Sequence, residues 1–193
     1  MAVKGYTSKQ ALENYTLQTI DTSFDTQIDS WIESVEGFIG RYTGRIFIAD
    51  TTASEKTYDG EGESEQKFDE FISLTKVEIG EDTKTEITSD NYRIYPNNEE
   101  RKNKVQLKEN YFTKGYQNVT ITAKWGYSIA CPAELTLAAT TLLAGVINYS
   151  NNAKGKIRSE SIGRYTVAYT DDQGWQDFKR AMMILDSYKK FHF

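Results

Sequence analysis

The hydrophobic period of this chain changes twice, and that change limits the fold more than any other feature. From residue 24 to 42, Phe24, Ile28, Trp31, Ile32, Val35, Phe38, Ile39 and Tyr42 recur at steps of one, three or four. That spacing is one face of a helix of about 19 residues. Ser8 is placed to cap a shorter helix from Lys9 to about Tyr15. Thr22 with Asp25 reads as a capping box for the long helix, and Gly44 suits a left-handed end. Beyond residue 50 the helical period is gone. Val77 and Ile79, Tyr92 and Ile94, Val105 and Leu107, and Val119, Ile121, Ala123 and Trp125 alternate with polar residues, as half-buried strands do. Turn residues separate them at Asp59-Gly60, Gly80-Glu81-Asp82, Ser89-Asp90-Asn91 and Pro96-Asn97-Asn98. After Cys131-Pro132 the helical period returns through Leu135, Ala138, Ala139, Leu142, Leu143, Val146 and Ile147. A polar loop is predicted over 148–155 and an extended segment over 163–169. A last helix is predicted from Asp171 or Asp172, with Trp175, Phe178, Met182, Leu185 and Tyr188 on one face.

The order helix, strand, helix predicts an α+β fold. Residues 1–49 and 131–193 are expected to build a helical bundle domain, with Ile46, Phe47 and Ile48 as a short strand at its edge. Residues 50–130 are expected to form an inserted antiparallel β domain, sandwich-like or barrel-like, of about six or seven strands. Insertions of this kind succeed at exposed loops whose ends lie close together.

Composition excludes much chemistry. The chain has 193 residues with one cysteine, Cys131, and one histidine, His192. A single cysteine forms no internal disulfide, which points to a reducing compartment. A lone histidine at the penultimate position cannot centre a Ser-His-Asp arrangement or a histidine-rich metal site. No Gly-x-Gly-x-x-Gly and no phosphate-binding loop occurs. The acidic stretch Glu55, Asp59, Glu61, Glu63, Glu65, Asp69 and Glu70 lacks calcium-loop spacing. The expectation is a non-enzyme with no cofactor and no metal. No run of apolar residues is long enough to span a bilayer, and the first ten residues lack the pattern of a signal peptide.

Charge is distributed unevenly. The net charge is −5, yet residues 20–36 hold five acids and no base, and residues 50–70 hold eight acids and two bases. Residues 99–124 and 153–193 are each net basic. Surfaces of opposite sign on one chain can dock head to tail and close a ring. Asp25, Asp29, Glu33 and Glu36, on the polar face of the long helix, are candidate subunit contacts. Arg164, Tyr165, Val167 and Tyr169 are further candidates, on a segment that pairs either with a neighbouring copy or within its own chain. Tyr188, Lys189, Lys190, Phe191, His192 and Phe193 form a basic, aromatic end suited to anchoring in a partner's groove.

Four segments taken together resemble the head–tail connector (adaptor, or head completion) proteins of long-tailed bacteriophages. The first runs from Tyr6-Thr7-Ser8 through Phe24-Asp25-x-x-Ile28-Asp29 to Ile39-Gly40-Arg41-Tyr42-Thr43-Gly44-Arg45. The second is Val119 to Tyr127 followed by Pro132-Ala133-Glu134-Leu135. The third is Arg158 to Tyr169, and the fourth Leu185 to Lys190. The likeness is to larger members of that family, which carry an inserted β domain. It implies a structural assembly protein that forms a ring of about a dozen copies under the portal protein. Such a ring extends the DNA channel toward the tail, and DNA slides through it without specific binding. Its partners would be the portal through the C-terminal segment, a stopper or tail-completion protein, and other copies of itself, with no membrane. Its place would be the host cytoplasm during assembly and the virion neck afterwards. Two alternatives stand beside it: a stopper or tail-completion protein of the neck, and a ligand- or carbohydrate-binding β module on a helical base.

Overall fold

The computed structural model describes residues 4–153, 159–162, 165–168 and 172–190. The fold is α+β, with four α-helices, one open antiparallel sheet of six strands and a separate two-stranded hairpin among the described residues. The chain divides into two compact units, Met1–Arg45 with Cys131–Phe193, and Ile46–Ala130.

In the helical unit, α1 (Lys9–Thr16) starts where Ser8 Oγ accepts the N–H of Ala11, and it ends on Leu17 in the left-handed conformation. A 3-10 turn, Thr22–Phe24, leads into α2 (Asp25–Thr43). The capping box expected from Thr22 and Asp25 does not form. The Asp21 carboxylate accepts the N–H of Ser23 at 2.8 Å instead, and Phe24 occupies the N-cap of α2 without a side-chain bond. The tight turn takes the Asp25 N–H, which bonds Thr22 O and which a capping box would have satisfied. The far end matches expectation: Gly44 has φ 68° and donates its N–H to Gly40 O. Ile28, Ile32, Val35 and Ile39 are buried along the predicted stripe.

α3 (Ala133–Ala153) runs through residues 148–153, where a polar loop was expected. Asn and Ser only weakly disfavour a helix, and a ladder already in progress overrides that preference. Thr136 N–H bonds Pro132 O, so the proline sits just before the first helical residue rather than on it. Ala138, Ala139 and Leu143 are buried, and small side chains let α3 pack closely on α4 (Asp172–Ser187), which buries Ala181 and Leu185. Between these helices, β7 (Ser159–Ile162) and β8 (Tyr165–Ala168) pair antiparallel, from Ser159 opposite Ala168 to Ile162 opposite Tyr165.

The second unit holds β1 (Ser54–Gly60), β2 (Glu65–Ile79), β3 (Thr85–Glu86), β4 (Tyr92–Tyr95), β5 (Lys102–Leu107) and β6 (Gly115–Trp125). The sheet order is β1-β6-β2-β5-β4, with β3 beside the end of β2. β2 is the hinge of this topology. Its first residues pair with β5, its last with β6, and Phe71 lies opposite both Lys102 and Trp125. Register shifts interrupt β2 between Lys67 and Phe71, Phe71 and Ser73, and Leu74 and Lys76. Irregularities of this kind bend a strand and raise its twist. The sheet therefore curls around Phe68, Phe71, Phe112, Ile121 and Trp125, all buried. It remains one sheet with β1 and β4 as free edges, and not the two-layer sandwich or barrel read from the strand count. Ile46–Ile48 is not a strand either. Only Ile48 forms a bridge, parallel to Ser128, while Tyr127 donates its N–H to Ile46 O.

Candidate functional site

The basic C-terminal segment is built onto the end of α2. Tyr42 donates its hydroxyl to Asp186 Oδ1 at 2.6 Å. Lys189 Nζ lies 3.1 Å from the same carboxylate and 4.0 Å from the centre of the Tyr42 ring. Lys190 donates its N–H to Thr43 O at 2.8 Å, and Arg45 Nε donates to Tyr188 O. The Tyr42 hydroxyl, then Lys189, hold the Asp186 carboxyl below its ordinary range. Tyr42, then Asp186, hold Lys189 above its own. Tyr188 and Lys190 are thus half-buried and attached through their backbones, leaving Lys190 at a defined point beside the Gly44 cap. Phe191, His192 and Phe193 lie outside the described residues.

The acidic stripe of α2 is less uniform than its sequence suggests. Asp25 and Asp29 are exposed, with Asp25 paired to Lys9. Glu33 is half-buried. Glu36 is only 5% exposed. Its two oxygens accept the backbone N–H groups of Lys4 and Tyr6. It is a core anchor, not a surface group that another subunit could reach. The same strap buries Tyr6, and its Thr7 hydroxyl bonds the Thr140 hydroxyl at 2.7 Å. A signal for this was present: Glu36 stands four residues after Ile32 and three before Ile39, inside the apolar stripe.

Tyr165 and Val167 lie in β8, whose backbone pairs within its own chain with β7. Arg164 and Tyr169 lie outside the described residues.

In the second unit one side chain organises a whole end of the sheet. Asn118 Oδ1 accepts the N–H of Gly60 at 2.8 Å, Asn118 Nδ2 donates to Thr113 O at 2.7 Å, and Asn118 O accepts the N–H of Gly80 at 2.8 Å. Gly60 is required there, because a Cβ would sit 1.9 Å from Thr113 O. The alternating pattern does not distinguish this buried asparagine from a solvent-facing one. Tyr111 and Tyr116 are also 66% and 84% exposed, just before β6 and at its start, which the sequence pattern did not single out.

Burial pushes the Cys131 thiol up, with the Thr136 hydroxyl opposing, which is the direction of a packing group rather than a nucleophile. No group of three or more His, Cys, Asp or Glu is placed to hold a metal among the described residues. Two shallow hollows, of 290 and 210 Å³, are lined mainly by charged side chains such as Glu61, Lys104, Glu99 and Arg101. Small-molecule sites are usually apolar and enclosed. No helix among the described residues is long and apolar enough to cross a membrane.

No protein-family model and no curated protein matches the chain. Solved structures do. A chain of the neck of the empty gene transfer agent (GTA) particle, computed with C6 symmetry, matches with TM-score 0.59 at 14% identity. A chain of the virion of the native GTA particle matches with TM-score 0.58 at 13% identity, and one of the neck of the native particle, computed with C12 symmetry, with TM-score 0.54 at 15% identity. Each match covers 100% of this chain and 94% of the other. At these identities the likeness is one of fold.

Proposed function

We propose that this chain is a structural protein of the neck of a phage-like particle, and within the neck the head–tail adaptor. It forms a ring of about twelve copies beneath the portal, carries the DNA channel toward the tail, and catalyses no reaction. The observation that carries this reading is the end-to-end match with neck chains, helices and sheet included, at 100% and 94% coverage. The placement of the chain's own ends agrees with it. Tyr6, before the first helix, is clamped by Glu36, and α4 is latched to α2 at Tyr42 and Thr43, so the helical unit holds Tyr188, Lys189 and Lys190 at a fixed point. A partner meets such a pre-organised segment at lower entropic cost than a free tail.

In this reading the helical unit is the connector proper and Ile46–Ala130 is an insertion into it. Residues 188–193 meet the portal, and DNA passes through a ring whose net charge is negative without being held. Co-sedimentation with the portal ring of the source particle, counting bound copies by mass, tests the adaptor role. Saturation near one copy per portal subunit is expected. A folded chain that binds no portal but binds a completed neck below it is a stopper instead.

A further inference from the structure

Two exposed patches of the helical unit carry large apolar side chains among charges of opposite sign. The first is the elbow between α1 and α2. Leu17 is 89% exposed and holds φ 56°, a left-handed backbone state that disfavours a residue with a Cβ. Phe24 is exposed in the same elbow, as are Asp21 and Asp29, while Asp25 is exposed and paired to Lys9, so the elbow keeps a net negative charge. The second patch is on α4. Met183 is 73% exposed, and Lys179 and Arg180 are exposed as well. Lys179, Arg180 and Met183 fall on one face of the helix, at steps of one and three. A leucine or methionine this open to water gains little from the hydrophobic effect within its own chain.

Asp25 and Tyr42 stand at opposite ends of α2, about 26 Å from each other at 1.5 Å per residue. α4 reaches α2 at the Tyr42 end, through Asp186. The elbow lies at the far end of α2 from the point where Asp186 docks, and a second copy can bring its α4 to it. We infer that the acidic, apolar elbow of one copy seats on the basic, apolar face of α4 in the next. The contact is heterologous, one patch on each side, so every copy keeps one patch of each kind for a further neighbour. The inference rests on the ring reading above and supplies its contact surfaces.

Charge reversal tests it on the full chain. Asp29→Arg makes the elbow less acidic, and Arg180→Asp makes α4 less basic; both sites are exposed, so each variant keeps its thermal transition. Mass by sedimentation over a concentration series is the readout. The unaltered chain is expected to assemble, and each variant alone to require at least about a tenfold higher concentration. An equimolar mixture restores assembly, because each variant's altered patch meets the other's complementary one. Variants that assemble alone like the unaltered chain overturn the pairing and leave the ring standing. A mixture of two folded variants that fails to recover does the same. An unaltered chain that stays monomeric throughout overturns the pairing as a contact of the isolated chain, and the ring is judged separately by the copies bound to the portal.

Discussion

The two units are held together in different ways. The helical unit has an aliphatic core of Leu12, Ile28, Ile32, Ile39, Leu135, Leu143 and Leu185, and its polar pins join residues far apart in the chain. Glu36 holds residues 30 and more positions away, Thr7 reaches Thr140, and Tyr42 reaches Asp186. The sheet unit has an aromatic core, in which Phe71 and Trp125 meet edge to face with centroids 6.0 Å apart and Tyr58 and Phe68 do so at 5.0 Å. The helical unit is closed at its ends and the sheet unit at its centre. A helix satisfies its own backbone, so what remains to be settled is where the chain ends go. A curled sheet needs bulk in the middle to hold its bend.

The largest expected effect follows from that centre. Trp125 is fully buried and donates Nε1–H to Ser54 O at 2.8 Å. Trp125→Ala should cost the sheet unit about 3–5 kcal/mol. Urea denaturation followed by far-ultraviolet circular dichroism should show a destabilised sheet transition with the helical signal retained. A single unchanged transition breaks the comparison.

Next come the clamped ends. Glu36→Ala leaves the Lys4 and Tyr6 amides without their acceptor and should cost the helical unit about 3 kcal/mol, since bonds to a charged acceptor contribute about 1.5–3 kcal/mol each. Glu36→Gln keeps one carbonyl acceptor and should lose less. Equal losses in the two variants would assign the effect to packing rather than to the bonds.

Asn118→Ala should cost the sheet unit about 1–3 kcal/mol, because the Gly60 N–H and Thr113 O lose their partner together. Hydrogen exchange should speed up at Gly60 first. Protection unchanged there would show that the sheet unit does not depend on this pin.

The smallest effect is at the C-terminal latch, which is open to water. Lys189→Ala should barely move the global transition, yet raise hydrogen exchange at the Lys190 amide. The latch should also respond to pH. Asp186 is held below its ordinary 3.8, so its contribution is complete above that value and fades as the pH falls below it. Lys189 is held above its ordinary 10.5, so its contribution is complete below that value and fades as the pH rises above it. Protection of the Lys190 amide, its exchange rate relative to that of an unstructured amide at the same pH, should be greatest between those limits, and protection that does not change with pH would mean that the Thr43 carbonyl alone holds the segment.

Much of the local structure was legible from residue order. The Ser8 cap, the buried stripe of α2, the Gly44 cap and the strands around Val105 and Ile121 were all readable, because each depends on neighbours within a turn or a pleat. The candidate surface was legible only in part. Asp25 and Asp29 are exposed as their spacing implies, whereas Glu36 was read as surface because an acid is costly to bury unless it finds donors, and its donors stand 30 and 32 residues away. The single curled sheet and the docking of Lys190 on Thr43 share that origin, whereas the cap at Asp21 in place of Thr22 and the run of α3 to Ala153 are local outcomes that the residue types only weakly signal. Hydrophobic period is a property of a short stretch and survives in the sequence. The choice of partner for each polar group, and of neighbour for each strand, is made by distant parts of the chain competing for the same donors and edges. That competition is resolved only when the chain is folded.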